Sequence, residues 1–259
     1  MPSLWISPTR SIATLSADPH AALSIPLPPS ETERDAEGSE DAPVSLAGLA
    51  VAYIVRLYPK VSHTFIEREV AALRSLGATV DTYSLRRSPP SEVQSDRDRE
   101  EHARTTALLP ASVRAILAVH GRLLMAHPRA YVSTLFDALR WGPPGAWARA
   151  RQALYFAQAV LLFDAAAARP PRHLHAHLAN VATDVTWLAA TIGNRCSRSG
   201  WTWSFTMHGP TELHEQTRFN LARKVAAADS VVCISEYCRS QLMAITDPAN
   251  WDKLVVVHC

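Results

Sequence analysis

Glycine is scarce in this chain, nine in 259 residues, and none sits in a G-x-G-x-x-G or G-x-x-x-x-G-K-[ST] pattern. There is no G-x-S-x-G either, so dinucleotide-binding, P-loop and hydrolase readings lose their usual anchors. A phosphate site, if there is one, must rely on helix N-termini. Cysteine is also sparse: Cys196, Cys233, Cys238 and Cys259 form no C-x-x-C pair and follow no secretory leader. That fits reduced thiols in the cytoplasm better than a disulfide framework. Long apolar runs are missing. The most lipid-like stretch, 153–168, is broken by Gln158 and Asp164 and is shorter than the roughly 20 residues a spanning helix needs, so no transmembrane helix is expected. Charge of one sign is missing as well, with 26 Lys and Arg against 24 Asp and Glu. Nucleic acid is therefore not expected as a partner, and a neutral or anionic small ligand fits equally well.

What is present is 47% hydrophobic residues, ample for one large domain or two small ones. Residues 1–46, rich in Ser, Pro and Ala and ending in the acidic run from Glu31 to Asp41, read as a disordered leader. An upstream start codon explains them equally well. Order is expected from Leu49 to Arg56, a continuous apolar run that suits a central strand covered on both faces. Thr64 and Glu67 have capping-box spacing, and Ile66, Val70 and Leu73 then share a helical face until Gly77. A second strand over Ala78 to Leu85 completes a β-α-β unit, which puts the loop Tyr58 to His63 on the ligand side. Arg86 to Arg104 reads as an exposed connection. At least three helices, broken at Pro128 and around Gly142–Gly145, make a helical insertion over about 105–170. The insertion carries Arg114, Arg122, Arg129, Arg140, Arg149 and Arg151, which suit either a basic membrane-facing surface or plain solvated helix faces.

The strand-helix alternation resumes at HLHAH, where His173, His175 and His177 share one face of a strand. A strand sets them on a ridge, with no acidic or thiol ligand at a short helical spacing nearby. A stack leading to the strand tip is therefore favoured over a zinc site, and no metal is expected. Asn180 is an N-cap for a helix ending near Gly193–Asn194. Trp201 to Met207 then forms a strand that His208-Gly209-Pro210 stops, delivering an imidazole to a strand tip, where ligands collect in parallel α/β sheets. A helix from Leu221 to Ala228, a strand from Asp229 to Ser235, a helix capped by Ser235 and a last strand from Lys253 to His258 follow. The fold class is α/β, a Rossmann-like doubly wound parallel sheet.

Five segments in this order, YPKVSHTFIEREVAALRSLG, RHLHAHLAN, WSFTMHGPTEL, LARKVAAADSVVCISEYCRSQL and WDKLVVVHC, resemble the N-terminal, acceptor-side domain of family 4 (group 1) glycosyltransferases. The likeness covers about 49–259 and is greatest to the branch serving exopolysaccharide and colanic-acid-type synthesis. The resemblance implies the N-terminal half of a glycosyltransferase B-type fold, spanning 47–259, and a retaining transfer from a nucleotide sugar, a substrate rather than a cofactor. The acceptor would be a saccharide or a lipid-linked sugar, met in the cytoplasm or at the inner face of the membrane. His208 matches the family histidine beside the anomeric centre, and Glu212 an acidic residue that orients acceptor hydroxyls. Ser62, His63 and Thr64 stand where relatives place a glycine-rich loop against the donor diphosphate. His177 and Asn180 join them as substrate-binding candidates, while Ser235, Glu236 and Arg239 read better as a helix cap and a surface pair. The family's donor contacts, a paired-glutamate motif among them, lie in a C-terminal domain expected beyond Cys259, either joined or on a separate chain. The alternative is a non-catalytic saccharide-binding domain left by truncation. A hydrolase using His208 would need a Ser or Cys nucleophile at a tight turn, and none is evident.

Overall fold

The computed structural model describes residues 45–142, 144–168, 173–197 and 200–258. The leader expected over 1–46 lies almost wholly outside them, as does Cys259. Among the described residues, seven parallel strands form one sheet: β1 (Ala50–Leu57), β2 (Thr79–Arg86), β3 (Thr106–Ala107), β4 (His173–His177), β5 (Thr202–Met207), β6 (Ser230–Cys233) and β7 (Leu254–Val256). Their order is β3-β2-β1-β4-β5-β6-β7. The chain builds outward from β1 to one edge, then returns to β4 on the other side. β1 and β4 therefore flank a topological switch point, where connections leave in opposite directions and a crevice opens beyond the carboxyl ends.

Alternation along β1 feeds two cores. Val51, Tyr53 and Val55 pack with Ile66 and Val70 of α1 (Thr64–Ser75) on one face. Ala52 and Ile54 join Leu174, Ala176 and Phe205 in the larger core on the other face. That core also holds α3 (Val113–Ala126), α4 (Pro128–Trp141), α5 (Ala146–Ala167) and α6 (Val181–Cys196), with α2 (Asp96–Arg104) lying between β2 and β3. Short helices α7 (Pro210–His214), α8 (Gln216–Phe219) and α9 (Leu221–Ala227) link β5 to β6, and α10 (Glu236–Ile245) precedes β7. Helices on both faces of a parallel sheet make this a Rossmann-like, doubly wound α/β fold.

Three local expectations are corrected. Thr64 does not cap α1: Val61–His63 form a 3₁₀ turn leading straight into the helix, so Thr64 is already helical at φ −58° and ψ −29° and cannot take the extended N-cap geometry. Glu67 is buried instead. The polar stretch after Arg86 is not wholly an exposed connection. Ser95 and Asp98 form a reciprocal capping box that starts α2, and Glu101 is buried as it receives Arg74 and the Tyr58 hydroxyl. Helix α6 continues through Gly193–Asn194 to Cys196. Gly193, within the helix, leaves room for the Trp201 indole, whose nearest atom is 2.5 Å from where a Cβ would stand. Asn194 bonds both the N–H and the C=O of Trp201, at 2.7 and 2.8 Å, and so ties the helix to the start of β5. Ser235 does cap α10, accepting from the Cys238 N–H at 3.2 Å, and Glu236 pairs with Arg239 at 3.6 Å.

Candidate active site

The histidine face of β4 is satisfied by hydroxyls of β5. In their parallel register His173 faces Thr202, His175 faces Ser204 and His177 faces Thr206. Each of the first two imidazoles spans two hydroxyls one pleat apart. His173 reaches Thr202 Oγ1 at 2.8 Å and Ser204 Oγ at 2.6 Å, and His175 reaches Ser204 Oγ at 2.7 Å and Thr206 Oγ1 at 2.9 Å. A buried ring needs both nitrogens paired, and hydroxyls, able to donate or accept, suit either tautomer. Burial, reinforced by His173 and His208, pushes His175 down to about 3, so it stays neutral.

At the sheet's carboxyl end the ladder passes to His208, the first residue beyond β5. His177 Nδ1 lies 3.2 Å from His208 Nε2. The other nitrogen of His177, fully buried and without a hydrogen bond, lies 3.4 Å from Glu69 Oε2 on α1. Glu69 in turn accepts from the Tyr53 hydroxyl at 2.5 Å. Burial holds His177 well below its ordinary pKa, so the contact with Glu69 joins a carboxylate to a neutral ring. A carboxylate facing Nε2 favours the proton there. That tautomer makes His177 Nδ1 an acceptor for the His208 Nε2–H and leaves His208 Nδ1 with a free lone pair. His208 is only partly buried, packs 4.5 Å from the Phe65 ring, and is pushed down to about 4 by burial and then by His63. The resulting group is a neutral imidazole at a strand tip, and in that tautomer it is suited to accept a hydrogen bond or proton from a hydroxyl.

Two lobes of a cleft open at the switch point. The larger, about 680 Å³, includes Asn180 and Glu212, and the smaller, about 450 Å³, includes His63 and Asn180; both share Arg56, Arg86 and Leu178. The expected residues thus fall into two groups. His208 and His177 meet on the α1 side of the sheet and line neither lobe, Asn180 and Glu212 line the cleft, and His63 borders the cleft close enough to disfavour protonation of both His177 and His208. Ser62 and Thr64 are exposed and border neither lobe. Asn180 also caps α6, accepting from the Ala182 N–H at 3.0 Å, and the buried Glu212 folds back over Gly209.

Donor atoms of Glu69, His175 and His177 lie within 4.8 Å of one another, a grouping that local spacing could not reveal because Glu69 comes from α1. Both nitrogens of His175 are spent on Ser204 and Thr206, so a metal there would find only Glu69 and His177 with donor atoms to spare.

A second buried polar group lies at the start of α6. Lys224 of α9 is fully buried and donates to Ala179 O at 2.9 Å, Asn180 O at 3.2 Å and Asp184 Oδ2 at 3.0 Å. Asp184 also accepts from the Trp141 indole at 3.1 Å. Burial lowers the lysine and raises the aspartate, and each partly restores the other. Its signal in the sequence is a lysine on the Leu221/Val225 face of a short helix, where a solvated residue does not belong.

No protein-family model matches the chain, and no curated protein matches it. Among solved structures, UDP-GlcNAc 2-epimerase from Neisseria meningitidis bound to UDP-GlcNAc is similar at 12% identity with a TM-score of 0.42, over 80% of this chain and 45% of that one. The chain spans less than half the length of that protein.

Proposed function

We propose that this domain is the acceptor-side half of a retaining glycosyltransferase, moving a sugar from a nucleotide sugar to a saccharide or lipid-linked acceptor. The observation that carries the proposal is His208: a neutral, partly exposed imidazole at a strand tip, in contact with His177, and with its neighbours Gly209 and His63 bordering the switch-point cleft. The ordered motif series described above adds to it. His208 takes a hydrogen bond from the hydroxyl that must lie next to the reacting centre, while Asn180 and Glu212 orient the acceptor within the cleft. In a retaining transfer the donor diphosphate leaves as the acceptor oxygen attacks the same face of an oxocarbenium-like sugar. Placement and electrostatic support then contribute more than a strong base, and the protein needs no nucleophile. A donor-binding domain, joined or separate, supplies the nucleotide contacts.

The test is to incubate the full chain, with and without a supplied donor-binding domain, against a panel of nucleotide sugars and saccharide or lipid-linked acceptors. Sugar transfer that appears when the second domain is added supports the proposal. Saccharide binding without transfer in every combination would make this a binding domain.

A further inference from the structure

The cleft carries a charge that the chain as a whole lacks. Arg56 is the penultimate residue of β1, Arg86 ends β2, Arg87 follows it, and Lys60 comes from the loop before α1. Together with His63 they line the smaller lobe, which contains no carboxylate. The larger lobe shares Arg56 and Arg86 and adds Arg151 of α5. Of its two carboxylates, Asp184 is committed to Lys224 and Trp141, and Glu212 lies folded over Gly209 within the field of Lys224. Among the described residues no side-chain hydrogen bond or close ion pair holds Arg56, Lys60, Arg86, Arg87 or Arg151, although Arg151 lies within the field of Asp184, whereas many arginines elsewhere, such as Arg74, Arg122 and Arg195, are paired with carboxylates. Charges nearly cancel over the chain, 26 against 24, so this is a local enrichment.

Like charges gathered in a concavity repel one another, and low-dielectric walls strengthen that repulsion unless an anion enters. A single carboxylate would satisfy one guanidinium fork. Four or five cations match the several charges and many oxygens of a phosphoryl or diphosphate group, whose geometry arginine meets bidentately. The N-terminal end of the 16-residue helix α6 borders the larger lobe at Asn180 and Val181, and the smaller at Asn180, and adds its partial positive charge. The cations lie in a cleft rather than along an exposed stripe, which suits a compact anion better than a nucleic-acid backbone.

We infer that this cleft binds the phosphoryl or diphosphate group of the acceptor, so that the acceptor class is a phosphorylated or diphosphate-linked saccharide; this rests on the transferase reading above. The shared chemistry has two sources, a soluble sugar phosphate and a prenyl diphosphate carrier.

Calorimetric titration of the full chain tests it, with inorganic pyrophosphate, glucose 1-phosphate, a short prenyl diphosphate, uridine diphosphate and neutral glucose as probes. Saturable pyrophosphate binding is expected, weakening as salt is raised from about 0.15 to about 0.5 M. Arg56→Gln and Arg86→Gln should each weaken it roughly tenfold, while Arg99→Gln, on the exposed face of α2, should leave it unchanged. Whichever of glucose 1-phosphate and prenyl diphosphate binds more tightly than pyrophosphate identifies the source. Failure of pyrophosphate to bind, or equal binding by the cleft variants, would overturn the inference. Uridine diphosphate binding more tightly than every other probe would do so too, by assigning the site to the donor. The two failures are distinguishable. Pyrophosphate binding lost in Arg56→Gln, with no transfer under any condition, removes the transferase reading and with it the acceptor assignment, leaving a bare anion site. Transfer to a neutral acceptor without pyrophosphate binding removes only this inference.

Discussion

A ring that is buried neutral destabilises the fold at any pH where the unfolded chain can charge it. His175, pushed down to about 3, and His208, pushed down to about 4, are such rings, and burial also lowers His177. Between the ordinary histidine pKa, near 6.5, and those lowered values, the unfolded state binds more protons than the native one, so stability rises with pH. The contribution of these rings is complete above about pH 6.5 and is lost as pH falls toward 4. The unfolding free energy from denaturant titrations should fall from pH 7 down to pH 5, by about 1.4 kcal/mol per pH unit for each fully shifted ring once the pH is below its unfolded value. His175→Asn should flatten that slope by about one proton. An unchanged slope would mean that His175 is not held neutral. At this scale the sequence was partly legible. Strand alternation put His173, His175 and His177 on one face and His208 at a tip, whereas Glu69 and Tyr53 were invisible because α1 and β1 meet the histidines only through tertiary packing.

Helix ends decide much of the site's shape, and most were readable from capping chemistry. Asn180 and Ser235 cap as their types and positions require, and Gly77, at φ +93°, follows the end of α1. Two misreadings arose where a neighbour overrode a local rule, a 3₁₀ turn before Thr64 and Trp201 packed on Gly193, and the third missed a local signal, the Ser95–Asp98 capping box within a strongly charged stretch. Lys224 joins α9 to the start of α6 by satisfying the carbonyls of Ala179 and Asn180 as well as Asp184. Lys224→Met should therefore destabilise the protein by about 3–5 kcal/mol in denaturant titration, because Asp184 is left as an uncompensated buried charge. Replacing Asp184 by Leu in the same chain should recover part of the loss. If Lys224→Met cost no more than a surface substitution, the pair would be shown to carry no structural role.

At the scale of the molecule, the strand order creates the cleft: only the reversal between β1 and β4 brings Arg56 and Asn180 to one opening. The alternation of strands and helices announced this architecture, but the two-residue strand β3 was too short to leave a periodic signal. No helix among the described residues is long and apolar enough to cross a membrane. The helices between β3 and β4 nonetheless expose Trp147 at 90%, Met125 at 84%, Val113 at 72% and Leu117 at 66%, with Arg114, Arg129 and Arg149 nearby in sequence. Aromatic and aliphatic side chains among arginines suit the surface of an anionic bilayer. Under the proposal of a lipid-linked acceptor, the chain should sediment with vesicles containing phosphatidylglycerol but not with purely zwitterionic ones. Trp147→Ser with Leu117→Ser should weaken that binding. Equal sedimentation of this variant, or none by the parent chain, would remove the membrane contact.

The central claim is that the His208 imidazole takes part in sugar transfer, and turnover by His208→Ala in the complete enzyme tests it most directly. The expected result is a kcat lower by about 10²–10⁴ with unchanged circular dichroism and unfolding midpoint at pH 7.5, since a positioned acid-base group contributes that much and the ring is only partly buried. Turnover within a few-fold of the parent would contradict the account.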